Sequence, residues 1–179
     1  MQSNKKELEI KDVLLFERNV FSDNRGSFHK LFESSTFQNF KIDQINLTKN
    51  YKKGTLRGLH FQNDPFSEIK ILSCVKGAIF DVFLDLRINS KTYGKFSYIN
   101  LSEEDNKILF LPKGIAHGFQ TLEDDSILSY IHQGIYNKDS ESGINPLDKV
   151  LNIPWPLEIS EISDRDKNLD NFNEAIKNV

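Results

Sequence analysis

Ala78-Ile-Phe-Asp-Val-Phe-Leu-Asp-Leu-Arg87 is the stretch on which the fold turns. In an extended chain Ala78, Phe80, Val82, Leu84 and Leu86 share one face, and Ile79, Asp81, Phe83, Asp85 and Arg87 share the other. An apolar face opposite a mixed one, repeating every two residues, is the signature of a β-strand. Upstream, Lys70 to Val75 reads as a preceding strand, with Lys76-Gly77 as a tight turn between the two. Downstream, Lys107-Ile-Leu-Phe-Leu-Pro112 is a further strand, stopped by the turn Pro112-Lys-Gly114. His117 to Leu122 and Ser126 to His132 are two more, joined by the acidic turn Glu123-Asp-Asp125. Helical signals are short. Ser35 to Phe40 offers a turn or two behind a Ser cap, and the tail from Asp164 starts behind Ser163. Many short strands separated by turn signals predict an all-β chain, a barrel or a jelly-roll sandwich. A parallel α/β sheet is disfavoured, because long helices do not alternate with the strands.

Length and composition agree with one such domain. The chain has 179 residues, 38% of them apolar, with 14 Phe. That is enough large side-chain mass to bury a real core. Lys and Arg (23) are scattered among Asp and Glu (26), for a net charge of -3, so a nucleic-acid partner is not expected. Cys74 is the sole cysteine, which excludes an intrachain disulfide and a cysteine-built zinc site. There is no apolar leader and no run of 18 apolar residues, so no membrane partner is expected and the expected location is cytoplasmic.

The residues able to carry chemistry cluster in a few places. Arg57-Gly-Leu-His-Phe-Gln62 packs Arg, His and Gln into six positions. Regular alternation puts Arg57 and Leu59 on one face and Gly58, His60 and Gln62 on the other. Gly58 allows close approach of another backbone or a ligand. A lone strand histidine is most often a hydrogen-bonded core residue, and catalysis is the sharper alternative for His60. Lys70 lies opposite Ile69, Ile71 and Val75, which make a core-facing set, so Lys70 faces solvent or a cavity. His117, between Gly114 and Gly118, is either a hairpin decoration or a ligand contact at a barrel mouth. Tyr130 shares a face with Leu128 and His132. The four histidines, His29, His60, His117 and His132, form no His-x-His or His-x-x-x-Glu pattern, so a bound metal is disfavoured.

Together these motifs resemble the family of dTDP-4-dehydrorhamnose 3,5-epimerases and their nucleotide-sugar relatives. The resemblance is carried by Asp23-Asn-Arg-Gly-Ser-Phe28, Gln44-Ile-Asn-Leu-Thr48, Arg57-Gly-Leu-His-Phe-Gln62 and Phe80-Asp-Val-Phe-Leu-Asp-Leu-Arg87. It continues through Pro112-Lys-Gly-Ile-Ala-His-Gly-Phe119, Tyr130, Tyr136, Pro154-Trp-Pro156 and Ser163-Asp-Arg-Asp166. These stand in the family's order over roughly residues 10 to 170. Membership implies a cupin-type β-jelly roll in one domain over 1–179, a homodimer, and a reaction with neither metal nor cofactor. The implied substrate is a nucleoside-diphosphate 4-keto-6-deoxyhexose, inverted at carbons 3 and 5 in deoxysugar (rhamnose-type) biosynthesis. Inversion at C3 alone on a non-thymidine nucleotide sugar is the alternative within the class, and a non-catalytic sugar-binding cupin the alternative outside it.

A C–H bond beside a ketone is a weak acid, and its removal needs a base of near-neutral pKa. The resemblance makes His60 that base and Asp166 its partner, which fixes the imidazole tautomer and stabilises the imidazolium. Lys70 matches the cation for the enolate oxygen, and Tyr130 the acid that returns a proton to the opposite face. Asp81, taken to lie on the strand adjacent to Lys70, is placed near it. Arg25, Arg57 and Arg165 look like anchors for diphosphate and sugar. Gln44, Asn46, His117 and Glu141 match further substrate contacts, and Tyr136 resembles the aromatic that stacks on the base. Three departures stand out. The pattern Arg-Gly-x-Phe-x-Glu ends here in Lys30, a Tyr-Tyr pair is Ile135-Tyr136, and a Trp-x-Asp-Pro segment is Asn145-Pro-Leu-Asp148. Lys30 belongs to the nucleotide end of the family site and cannot accept a hydrogen bond as a carboxylate can. Either the base differs from thymine, or Lys30 lies outside the site as a solvated charge.

Overall fold

A computed structural model describes residues 5–178. In chain order the strands are β1 (Lys5–Glu7), β2 (Leu14–Glu17), β3 (Val20–Asp23), β4 (Gly26–His29), β5 (Gln44–Asn50), β6 (Thr55–Gln62) and β7 (Ile69–Lys76). They continue with β8 (Ala78–Asp85), β9 (Phe96–Ser102), β10 (Lys107–Leu111), β11 (Ile115–Thr121), β12 (Ser126–Gln133), β13 (Glu141–Gly143) and β14 (Glu161–Ile162). Two short helices close the chain, α1 (Asp164–Lys167) and α2 (Phe172–Ala175). One sheet has the order β1-β2-β10-β7-β12-β5 and the other β13-β6-β11-β8-β9, with β14 added alongside β6. β3 and β4 form a separate hairpin. Two mostly antiparallel sheets, between which the chain passes at most turns from β5 onward, make a β-sandwich of cupin-type jelly-roll form.

The tight turn expected at Lys76-Gly77 is present, and this passage between sheets decides what it joins. β7 and β8 belong to different sheets, and the turn is a corner that carries the chain from one layer to the other. Gly77 has φ +70°, and a Cβ there would lie 2.6 Å from Ser126 Oγ. Only glycine makes this corner without strain. The turn Glu123-Asp-Asp125 does the same between β11 and β12.

Three apolar clusters hold the layers together. The inner one lies between the sheets and includes Leu72 and Cys74 from β7, Ile79 and Phe83 from β8, Phe119 from β11, and Leu128 and Tyr130 from β12. A second covers the outer face of the β6/β11/β8 sheet, where Leu59, Phe80, Val82 and Leu84 meet Ile144, Leu151, Ile153 and Ala175. A third covers the outer face of the other sheet, where Ile71 and Ile131 meet Phe16 and Phe37. The mixed face of β8 is therefore the one inside the sandwich, and its apolar face packs under the C-terminal segment. Lys70 likewise points inward with Leu72 and Cys74, while Ile71 packs outward. Both sheets are covered on both faces, so apolar character alone does not identify the inside. Ser35 to Phe40 forms hydrogen-bonded turns and no helix: Thr36 and Phe37 both donate to the Glu33 carbonyl. Phe37 there anchors a ring cluster with Phe16, Phe32, Phe40 and Phe110, and packing of bulky rings overrides a weak local helix signal.

Candidate active site

At one end of the sandwich the inward-facing residues turn polar and line a cavity of about 240 Å³. Asn46 and Thr48 from β5, Arg57 and His60 from β6, Lys70 from β7, His117 from β11, and Tyr130 and His132 from β12 border it.

Regular alternation cannot put Arg57 and His60 on one face, because they are three residues apart. A β-bulge does so. His60 pairs with His117 and Arg57 with Phe119, so three steps along β6 match two along β11. Arg57 and His60 come to the cavity side, and Leu59 turns to the outer cluster, correcting the expected faces. Two glycines make room. Gly58 has φ +116°, and a Cβ on it would lie 2.5 Å from the Gly118 Cα. Arg57 Nε then donates to Asn50 Oδ1 at 2.8 Å.

His60 and Asp166 form a dyad, with His60 Nε2 2.8 Å from Asp166 Oδ1. The other oxygen, Oδ2, accepts the Gly58 N–H at 3.0 Å. Ser163 caps α1 by accepting the Asp166 N–H at 3.0 Å, which sets where the carboxylate sits. Burial alone would raise the Asp166 pKa. The His60 hydrogen bond and charge, with the Gly58 amide and Ser163, outweigh it and hold the carboxyl below its ordinary range. An ionised carboxylate only accepts, so the hydrogen of this bond belongs to His60 Nε2 and Nδ1 is the basic nitrogen.

The facing wall comes from the other sheet. Lys70 Nζ donates to the His60 carbonyl at 3.2 Å and lies 3.3 Å from Glu68 Oε1. Tyr130 is nearly enclosed. Burial pushes its phenol well above the ordinary range, and the charge of Asp81 adds to that while Arg57 opposes it. It is therefore an O–H donor at neutral pH. Its ring stands edge-on to His117, centroids 5.9 Å apart, and is stacked with His132 at 5.8 Å. His117 Nε2 is 2.8 Å from Asp81 Oδ2. Burial pushes the Asp81 carboxyl up, against the pull of His117 and Lys70. Asp81 thus serves His117. It reaches the Lys70 region from the opposite sheet, and not from an adjacent strand as expected.

Other predicted contacts lie around this cavity and beyond it. Asn46 borders it. Gln44 donates to the Gly134 carbonyl at 2.9 Å and is paired in register with His132. Tyr136, Glu141 and Arg165 form one exposed cluster: the Tyr136 hydroxyl donates to Glu141 Oε2 at 2.9 Å, and Arg165 Nη1 to Oε1 at 3.0 Å. β13 brings this cluster beside the cavity, since Glu141 pairs with Gln62 and Gly143 with His60. Arg25 lies at the exposed turn of the β3–β4 hairpin, with its guanidinium on Asp23. Lys30 is paired with Glu33 and borders a different depression with Phe16 and Arg18. Glu68, His132 and Thr48 had no assigned part in the sequence reading. His132 carried a signal, since it lies two residues after Tyr130 on the same strand face; Glu68 carried none. Among the described residues no group of three or more His, Cys, Asp or Glu is placed to hold a metal ion.

Comparison with known proteins gives a consistent result. A family model described as dTDP-4-dehydrorhamnose 3,5-epimerase matches residues 7–174. The dTDP-4-dehydrorhamnose 3,5-epimerase of Shigella flexneri is 42% identical over 172 residues, covering 93% of this chain and 94% of that protein. The crystal structure of the Bacillus anthracis dTDP-4-dehydrorhamnose 3,5-epimerase with TDP and PPi bound superposes with a TM-score of 0.89 at 35% identity, covering 94% of this chain and 98% of the other. A 3'-monoepimerase from Streptomyces bikiniensis, in complex with dTDP-quinovose, superposes with a TM-score of 0.89 at 33% identity, covering 99% and 90%. With a specific family match over nearly its whole length and relatives that share its fold end to end, this chain belongs to the dTDP-4-dehydrorhamnose 3,5-epimerase family.

Proposed function

We propose that the chain inverts carbons 3 and 5 of a dTDP-linked 4-keto-6-deoxy sugar, with the cavity residues as the reacting groups. The observation that carries this is that a base and an acid enter one cavity from opposite sheets. His60 comes from β6, and Tyr130 and Lys70 from β12 and β7. His60 Nδ1 takes the proton from the carbon beside the ketone, and the C–H electron pair moves to the C4 oxygen as an enolate. Lys70 stabilises that oxygen with a fixed positive charge. Tyr130 gives its phenolic proton to the same carbon from the other face, which inverts it. Asp166 stabilises the His60 imidazolium meanwhile, and solvent then exchanges protons with both groups. Arg57 and the Tyr136, Glu141 and Arg165 cluster bind the nucleotide end. The relatives' bound TDP and dTDP-quinovose support this substrate class.

A homodimer belongs to the same proposal. β5 is an edge strand and carries exposed Ile45 and Leu47, 66% and 70% accessible. An edge strand with exposed apolar side chains is normally covered. Sedimentation should give twice the 20.7 kDa chain mass, and a monomer would remove this part. The proposed location is the cytoplasm, whose reducing conditions suit the free, buried Cys74. No helix among the described residues is long and apolar enough to cross a membrane.

The test is deuterium uptake from D2O into dTDP-4-dehydro-6-deoxyglucose, followed by NMR. Wild type should exchange and invert positions 3 and 5, and His60→Ala should do neither while melting normally. Exchange at C3 alone would restrict the activity to one centre. No exchange by wild type would overturn the proposal.

A further inference from the structure

The wall opposite His60 contains a second carboxylate–imidazole pair. Glu68 Oε2 lies 2.8 Å from His132 Nδ1, and its other oxygen lies 3.3 Å from Lys70 Nζ. His132 and Lys70 are direct cross-strand partners on β12 and β7. Glu68 reaches both because Gly134 leaves space: a Cβ at that glycine would lie 2.8 Å from the Glu68 Cβ. Burial pushes the Glu68 carboxyl up, but the His132 hydrogen bond and the Lys70 charge outweigh it and hold it below its ordinary range. The carboxylate accepts only, so His132 Nδ1 carries the hydrogen of this bond. On its other side the His132 ring is stacked on Tyr130 at 27°, and His117 stands edge-on to the same Tyr130 ring.

Two distances decide what this bridge does. Charge-assisted N–H···O bonds centre on about 2.7–2.9 Å. The His132 bond falls in that range and the Lys70 contact is longer. Glu68 is therefore engaged chiefly by the imidazole. Without His132 the carboxylate would close on Lys70 and cancel part of its charge toward the cavity.

We propose that Glu68 and His132 are positioning residues of the epimerisation: their hydrogen bond keeps the Lys70 charge available to the enolate, and the His132 ring holds Tyr130 in place as the proton donor. This rests on the epimerase reading above. It assigns to one imidazole two separable duties, one through its Nδ1–H and one through its ring.

Two substitutions separate them. His132→Phe keeps a stacked ring and loses the donor to Glu68. His132→Asn keeps a donor near the Nδ1 position and loses the ring. Each is measured for deuterium wash-in, which reports enolate formation, and for net inversion, which also needs the acid. In His132→Phe both rates should fall together by about tenfold, with KM little changed. In His132→Asn inversion should fall by about tenfold and wash-in by less than about threefold. Thermal melting and calorimetric titration of dTDP are the controls for fold and nucleotide binding, both of which should persist. The same ratio of wash-in to inversion in both variants, or no loss in either, overturns the inference while the epimerase reading stands. A wild type that neither exchanges nor inverts overturns the reading and this inference with it.

Discussion

Replacing Asp166 with asparagine removes one charge from the dyad and leaves its shape. The two oxygens of Asp166 have different partners, His60 Nε2 at 2.8 Å and the Gly58 N–H at 3.0 Å. An asparagine has one acceptor and must choose. If Oδ1 faces Gly58, the amide NH2 faces His60, whose Nε2 must then accept. The imidazole proton moves to Nδ1, and the nitrogen that should act as base is blocked. If Oδ1 faces His60, the NH2 group abuts the Gly58 N–H and leaves that buried donor unpaired, at about 1–3 kcal/mol. In either orientation the imidazolium formed during proton abstraction loses its counter-charge. At about 4 Å between charge centres and an effective dielectric near 20, that attraction is about 4 kcal/mol. A net loss of about 3–5 kcal/mol in transition-state stabilisation corresponds to a fall of about 10²- to 10⁴-fold in kcat/KM. The assay is NMR-detected deuterium wash-in, with inversion followed in parallel. Both should drop in step, because abstraction precedes both. Wash-in within tenfold of wild type, in a protein that still melts cooperatively, would refute the dyad.

Tyr130→Phe deletes one hydroxyl from a well-packed ring, so the fold should persist with less than about 1.5 kcal/mol of change; inversion should fall far more than wash-in, and equal losses would show that Tyr130 supports the base or the fold instead. Gly118→Ala places a Cβ 2.6 Å from the Arg57 carbonyl and 2.7 Å from Leu59 Cδ2. It should cost about 2–3 kcal/mol and lower Tm by about 4–12 °C, and an unchanged Tm would mean that the β6–β11 contact is looser than described. Asp85 accepts from Arg87, Ser90 and Thr92, which overcome burial and bring its pKa to about 2 from the ordinary 3.8. Because the folded pKa is the lower one, this stabilisation is complete above about pH 4 and fades as pH falls toward 2. The shift corresponds to at most about 2.4 kcal/mol, reduced by solvent screening to about 1–2. Asp85→Asn should lower stability by that amount at pH 7 and flatten urea-midpoint acid sensitivity between pH 4 and 2, and an unchanged slope would remove Asp85 from the acid response.

Much of this protein is determined by local rules that a sequence exposes. Strand positions follow from alternation, the corners from Gly77 and Pro112-Lys-Gly114, and the α1 cap from Ser163, because each depends on neighbours within a few residues. His60, Lys70, Tyr130 and Asp166 stand out as candidates because a sequence shows each side chain's chemistry directly and the resemblance places each one. What tertiary structure alone decided concerns faces and meetings. The mixed face of β8 lies inside because a C-terminal segment, 60 or more residues downstream, covers the apolar face. Arg57 and His60 share a wall because a bulge against β11 absorbs one residue, and the parity of a strand changes with every such insertion. His60 meets Asp166 across 106 positions, and His132 meets Glu68 across 64. No periodicity reports such pairings, since they arise only when two sheets and a capped helix close around the same polar end of the sandwich.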